Sequence, residues 1–418
     1  MMDVLLWLLY GATIYVTVFL LLVFLEGGEL KPEAEWLGEW PSITLVIPAY
    51  NEEDSIGMTI ESCLSVEYPR DKMEVIVVDD GSTDRTEERA REYEENDIVT
   101  VISQENKGKG GALNTGLENA SGEYMACVDA DSRIMEESLK NMVSLFDEDT
   151  AAVASAMKAY KPNNMIQKVQ WFEYIVGIFT RSIMSIINAI HVTPGPLSIY
   201  RKDVLEEVGG FDEESLVEDQ EICFRLQKNQ WKVKSSRKGE VYTIVPQNFK
   251  ELYHQRKRWY RGSIENLIKY REMMFNADYG DFGYFGLTSK VLTGVLSMMA
   301  VLIITYVTVL PIYDLLHNIY HVGLMNFISS AGSLSIGLML EKAYWAVISM
   351  RFTSILMIAT MFVVSASMAY MAAQHTEEKV LKQGVVPTFI YLAWYVLFVG
   401  FMYMIVLLEM IFDVEAKW

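Results

Sequence analysis

Two aspartates, Asp129 and Asp131, stand one residue apart at the end of an apolar run, YMACV at 124–128. On an extended segment residues i and i+2 face the same way, so two like charges are held close. In a partly dry crevice that is unfavourable unless a cation sits between them. A hard divalent ion with oxygen ligands, Mg²⁺ or Mn²⁺, suits the pair and can also take a diphosphate. On spacing alone, a solvated acidic turn is the other reading. A second carboxylate pair, Asp79-Asp80, ends the run VIVV at 75–78 and leads into Gly81-Ser82, which by itself is a common turn. The segment KGKGG at 107–111 opens a helix. Its glycines let the backbone approach an anion, and a helix N-terminus favours negative charge. A flexible basic turn has the same composition, and no GxxxxGK[ST] is present.

The elements that must hold these residues alternate. Apolar runs at 43–48, 75–78, 98–102 and 124–128 predict strands. Segments 52–64, 83–94 and 110–118 between them have helical spacing. Continuous apolar strands alternating with helices imply an α/β fold with a mostly parallel sheet covered on both faces. Ligands of such sheets bind outside the carboxyl ends of the strands. Three strand ends carry Tyr50 and Glu52, Asp80, and Asp129 with Asp131. A longer helix is expected over 164–190, either an amphipathic one on a membrane surface or under the active site, or a plain core helix.

Hydropathy divides the 418 residues. Residues 4–25 carry no charge and are long enough to cross a hydrocarbon core of about 30 Å. The acidic Asp3, the lack of a basic leading region and the absence of a small-x-small site favour a retained span over a cleaved signal peptide. The predicted organisation is a span at 1–26, a linker at 27–41 and a catalytic domain at 42–249. Interface helices follow at 250–286 and a C-terminal membrane region at 287–418. Within the last, spans are expected at 291–312, 352–373 and 386–411, giving four in all; 323–340 would make a fifth. Residues 250–271 hold seven basic residues against Glu251 and Glu265, which marks a cytoplasmic membrane face. The net charge of −20 excludes nucleic acid as a bulk partner. The three cysteines make no metal-type spacing, and the five histidines are read as forming no zinc cluster.

The motifs PAYNEE (48–53), DDGSTD (79–84), GKGGALN (108–114), DAD (129–131), VED (217–219) and QRKRW (255–259) occur in this order. The chain resembles the membrane-bound family-two glycosyltransferases, which include cellulose, chitin and hyaluronan synthases. VEDQEICFRLQKNQWKV (217–233) is most similar to poly-β-1,6-N-acetylglucosamine synthases. The resemblance implies a GT-A (Rossmann-like) catalytic domain facing the cytoplasm of a multi-pass cell-membrane protein. It implies an inverting, metal-dependent and processive transfer from a UDP-sugar, UDP-N-acetylglucosamine first, that elongates a growing polysaccharide, with export of the product as a further expectation. A lipid-linked acceptor taking a single sugar is the alternative, and membrane lipid is a partner in either case. Site residues follow by the same resemblance. Tyr50 stacks on uracil with Glu52, Asp80 and Lys109 around the nucleoside; Asp129 and Asp131 meet the diphosphate and Mg²⁺ or Mn²⁺. Asp219 is the general base, Arg258 holds the leaving diphosphate, and Trp259 with Gln255 supports the acceptor sugar. Val217 stands where the family often has Thr, and one span rather than two or more precedes the catalytic domain.

Overall fold

The computed structural model describes residues 2–26, 38–322, 352–379, 384–412 and 414. Most of the expected linker and the apolar segment at 323–340 lie outside the described residues. Eight strands form one sheet: β1 (Ile43–Ala49), β2 (Met73–Asp79), β3 (Val99–Ser103), β4 (Tyr124–Cys127), β5 (Ser132–Ile134), β6 (Thr150–Ala159), β7 (Ser198–Arg201) and β8 (Lys232–Thr243). Their spatial order is β3-β2-β1-β4-β7-β6-β8-β5.

β3, β2, β1 and β4 run parallel, as the strand–helix alternation requires. Each splits its side chains between two cores. Leu45, Ile47, Val75 and Val77 pack with Ile56 and Ile60 on one face; Val46, Ile76 and Val78 pack with Leu113 and Leu117 on the other. With both faces covered, these strands read as continuous apolar runs. The second half of the sheet is mixed. β7 lies antiparallel between β4 and β6, β8 runs parallel to β6, and β5 pairs antiparallel with β8. β8, KVKSSRKGEVYT, is too polar to show as a strand in its sequence.

Two helices begin later than their periodicity suggests, at Ile56 and Thr86. Hydrogen bonds between the two loops explain both starts. Asn51, at φ 55°, accepts from the Thr83 amide at 2.8 Å. The amides of Asn51, Glu52 and Glu53 donate to the side chains of Ser82, Thr86 and Asp84. The polar groups that would extend each helix instead lock PAYNEE to DDGSTD.

Helix Met165–Ile186 starts on a capping box between Asn164 and Gln167. It is a core helix, with sheet on one side and apolar helices on the other. Phe179 packs edge-on to Phe24 at 5.3 Å and Phe172 to Tyr391 at 5.2 Å, while Ser182 and His375 are 2.9 Å apart. Among the described residues two helices are long and apolar enough to cross a membrane, Phe282–Tyr306 and Val385–Ile411. The N-terminal segment forms helix Met2–Glu26, and a further apolar helix spans Phe352–His375.

Candidate active site at two adjoining cavities

β1 and β2 end at one level, with Ala49 paired to Asp79, while β4 stops at Cys127, opposite Val46. Tyr50 and Asp80 follow directly, and Asp129 comes past β4, after Val128. With Glu52, Lys109, Asp131 and Arg258 they line a cavity of about 240 Å³. A second cavity, of about 350 Å³, shares Lys109, Asp129, Asp131 and Arg258 and adds Asp219, Gln255 and Trp259. Every residue singled out from the sequence therefore lines one cavity or both.

Lys109 joins the two. Its ammonium lies 2.6 Å from Asp129 and 2.8 Å from Glu218. Burial lowers the affinity of Lys109 for its proton, but Asp129 and Glu218 outweigh it and raise the group well above its ordinary range. Burial likewise favours a neutral Glu218, and Lys109 reverses that and holds it ionised. The junction requires a glycine opposite. A Cβ on Gly195 would stand 2.6 Å from the Lys109 nitrogen and 2.9 Å from an Asp129 oxygen. Asp80 is buried and accepts from the Gln104 side chain at 2.7 Å and the Lys107 amide at 2.9 Å. It thereby ties down the loop that leads into helix Gly108–Asn119.

Asp131 accepts from the hydroxyls of Ser132 and Thr243 at 3.1 and 3.3 Å. Burial, with Asp129 and Glu52 nearby, pushes its carboxyl up to about 7. Burial contributes most to that rise, and the crowding of negative charge adds to it. Among the described residues no group of three or more His, Cys, Asp or Glu side chains could hold a metal ion unaided. Two carboxylates instead suit an ion that takes its other ligands from phosphate and water. One pair departs from the expectation for histidine: His317 and His321, four residues apart on one helix, bring their Nε2 atoms within 3.0 Å.

Asp219 sits in the first turn of helix Glu218–Lys228. Its carbonyl accepts from the Thr193 hydroxyl at 2.8 Å, and Tyr200 donates to that hydroxyl at 2.8 Å. Burial and then the neighbouring Glu218 push its carboxyl up to about 6, against the pull of Lys109 and Arg258. Arg258 donates to the Leu216 carbonyl at 2.9 Å, which joins helix Phe249–Lys269 to the loop before Asp219.

Arg256 was visible in the sequence only as one charge among seven, yet it orients Gln255 and Trp259. It is fully buried, pairs with Glu173 at 2.6 Å, donates to Gln255 at 2.6 Å and lies 4.1 Å from the Trp259 ring centroid. Lys257 pairs with Glu409 at 2.7 Å. Several charges of the basic segment are thus turned inward. Glu218 and Thr243 also escaped notice, as did Arg181 and Lys290 in the wall of the larger cavity. Arg181 had one sign in the sequence, being one of three charges in the apolar stretch 164–190.

Residues 44–209 match the profile of glycosyl transferase family 2. The chain is 30% identical over 244 residues to a poly-β-1,6-N-acetyl-D-glucosamine synthase of Staphylococcus aureus, covering 57% of this chain and 58% of the relative. Identity to the synthase of Staphylococcus epidermidis is 32% over 232 residues, or 54% and 56% of the two chains. The matches thus span under two thirds of these relatives. A solved mannosyltransferase of Pyrobaculum calidifontis, in complex with GDP-mannose and Mn²⁺, has the same fold, with a TM-score of 0.59 at 20% identity. That likeness covers 90% of this chain and 97% of the other.

Proposed function

We propose that this chain, whose residues 44–209 form a glycosyl transferase family 2 domain, moves a sugar from a UDP-sugar to an acceptor at the cytoplasmic membrane face. The observation that carries the reading is the pair of cavities meeting at Lys109, Asp129, Asp131 and Arg258. One offers a ring at Tyr50 and carboxylates for a nucleoside; the other offers a half-buried base and an aromatic wall. The named activity of the staphylococcal relatives supports UDP-N-acetylglucosamine as donor and a polysaccharide as product.

Asp129 and Asp131 would hold Mg²⁺ or Mn²⁺, which when bound would neutralise the diphosphate as it leaves. Arg258 and Lys109 add positive charge on the same side. Asp219 takes the proton of the acceptor hydroxyl, whose oxygen attacks the anomeric carbon while UDP departs from the opposite face. One base and no nucleophilic carboxylate make this a single displacement with inversion. Trp259 supports the acceptor ring, and Gln255 stands beside it. The four described apolar helices serve as membrane spans in this reading, with residues 42–249 as the cytoplasmic catalytic unit and 250–286 at the interface.

Product size tests the processive part. Purified protein given UDP-N-acetylglucosamine and Mg²⁺ or Mn²⁺ is expected to make products far longer than one unit. Single-sugar products at every donor concentration would overturn elongation. The second reading, one sugar placed on a lipid-borne acceptor, is favoured by two cations of the larger cavity, Arg181 and Lys290, that have no carboxylate partner among the described residues.

A further inference from the structure

The larger cavity holds two cations that the reaction so far does not use, Arg181 and Lys290. Arg181 comes from helix Met165–Ile186 and Lys290 from the first turn of helix Leu287–Val322. Among the described residues neither has a carboxylate within ion-pair distance. Arg181 makes one long hydrogen bond to the Ser155 carbonyl at 3.5 Å, and its Nε is buried without a partner. Lys290 donates only to the Ser263 hydroxyl, at 3.3 Å. Asp219 is the carboxylate that both feel. His191, next to both, has a buried Nδ1 without a partner, and burial with these two cations keeps its ring neutral. Half-buried guanidinium and ammonium groups are unfavourable without counter-charge, so this corner suits an anionic group.

We infer that Arg181, Lys290 and Ser263 form a subsite for an anionic group of the acceptor, a phosphate carried on a membrane lipid. The inference rests on the transferase reading of the same site. Lys290 lies eight residues inside the apolar helix Phe282–Tyr306, which is long enough to cross a membrane, so the subsite adjoins a membrane-spanning segment in this reading. A carboxylate base stands between this corner and the Asp129–Asp131 pair, so the attacking atom is a hydroxyl; a phosphate oxygen would need no base. The acceptor class is therefore a lipid whose head group carries a hydroxylated ring beside a phosphodiester. The ring hydroxyl attacks the anomeric carbon and its proton passes to Asp219. The bond from that carbon to the diphosphate breaks, and UDP leaves with the electron pair. The phosphodiester stays intact on Arg181 and Lys290.

The test uses the full chain in phosphatidylcholine vesicles with labelled UDP-sugar and Mn²⁺, and compares three acceptors. Phosphatidylinositol supplies ring and phosphate on a lipid, glucosyl-diacylglycerol the ring on an uncharged lipid, and inositol 1-phosphate the free head group. Transfer to phosphatidylinositol is expected to exceed transfer to the uncharged lipid by about tenfold or more, the worth of a charge-assisted hydrogen bond. Arg181→Gln with Lys290→Gln should erase that preference, and Arg181→Lys with Lys290→Arg should restore part of it. UDP affinity in each variant certifies a folded donor site. Equal use of the two lipids, or polymer formation that ignores phosphatidylinositol, overturns the inference while leaving the transferase reading intact. Equal use of inositol 1-phosphate overturns the lipid source. If the two residues merely balance Asp219, the Gln pair will slow both lipids alike and move the pH profile, which also overturns it. Absence of UDP binding and of transfer to any acceptor would instead sink the transferase reading.

Discussion

The two cavities share Lys109, Asp129, Asp131 and Arg258, yet they are built from different kinds of chain. The smaller draws almost wholly on residues 48–131, within a few positions of three parallel strand ends. Its lining carries four carboxylates against two cations. Beyond the shared residues the larger collects side chains from Met157 to Lys290, some of them on a core helix, an amphipathic helix and an apolar helix. Four cations balance four carboxylates there, beside three aromatic rings. Strand ends and the helix that follows β3 assemble most of the first, with Arg258 added from a distant helix, whereas the second exists only once helices from three sequence regions are packed against one another. The proposed donor side is thus a product of local motifs, and the proposed acceptor side a product of tertiary packing.

That contrast is sharpest at Asp219. Asp219→Asn keeps size and hydrogen bonding but removes the base. Transfer is expected to fall by about 10²–10⁴ while UDP affinity, measured by calorimetry, stays near wild type. Because burial and Glu218 hold Asp219 up at about 6, wild-type kcat/KM should decline tenfold per pH unit below that value. Saturating Mn²⁺ keeps Asp131 ionised, so the acid limb then reports Asp219. Retained turnover in the variant, or a flat profile down to pH 5, would remove the base from the argument.

Asp131→Ala strikes the shared border. Rate should drop by about 10²–10³ and nucleotide affinity should weaken with it, since ion and diphosphate occupy one site. Wild-type activity untouched by EDTA would show that the carboxylate pair serves another end.

Trp259→Ala should break only the acceptor side. Loss of positioning is expected to slow transfer by about 10², while UDP affinity and slow hydrolysis of the donor by water survive. Normal activity per folded molecule with reduced detergent stability would mark the indole as a membrane-interface anchor instead.

Gly195→Ala is the mildest. The added methyl meets the flexible end of Lys109, which must give up a carboxylate. Donor KM should rise by about tenfold, with thermal stability little changed, because a charge-assisted contact is lost and no core is disturbed. An unchanged KM would mean that the Lys109 junction adjusts freely.

The sequence by itself determined the parallel half of the sheet and the motif order, and through the resemblance it picked out Tyr50, Glu52, Asp80, Lys109, Asp129, Asp131, Asp219, Gln255, Arg258 and Trp259, which line the cavities. Those signals are local: an apolar run bounded by turn residues marks a strand, and an aspartate pair or glycine pair at its end keeps its spacing in any fold. Tertiary structure alone decided the mixed half of the sheet, because β8 draws its burial from β6 and β5 and carries no apolar run of its own. It also decided that Asn51 and Ser82 hold two loops together, and that Met165–Ile186 is core. Arg256 is oriented by Glu173, 83 residues away, and Arg181 and Lys290 converge on Asp219 from helices over a hundred residues apart. The charge of a side chain is written in the sequence, but whether it meets a counter-charge or a gap depends on which distant elements pack beside it.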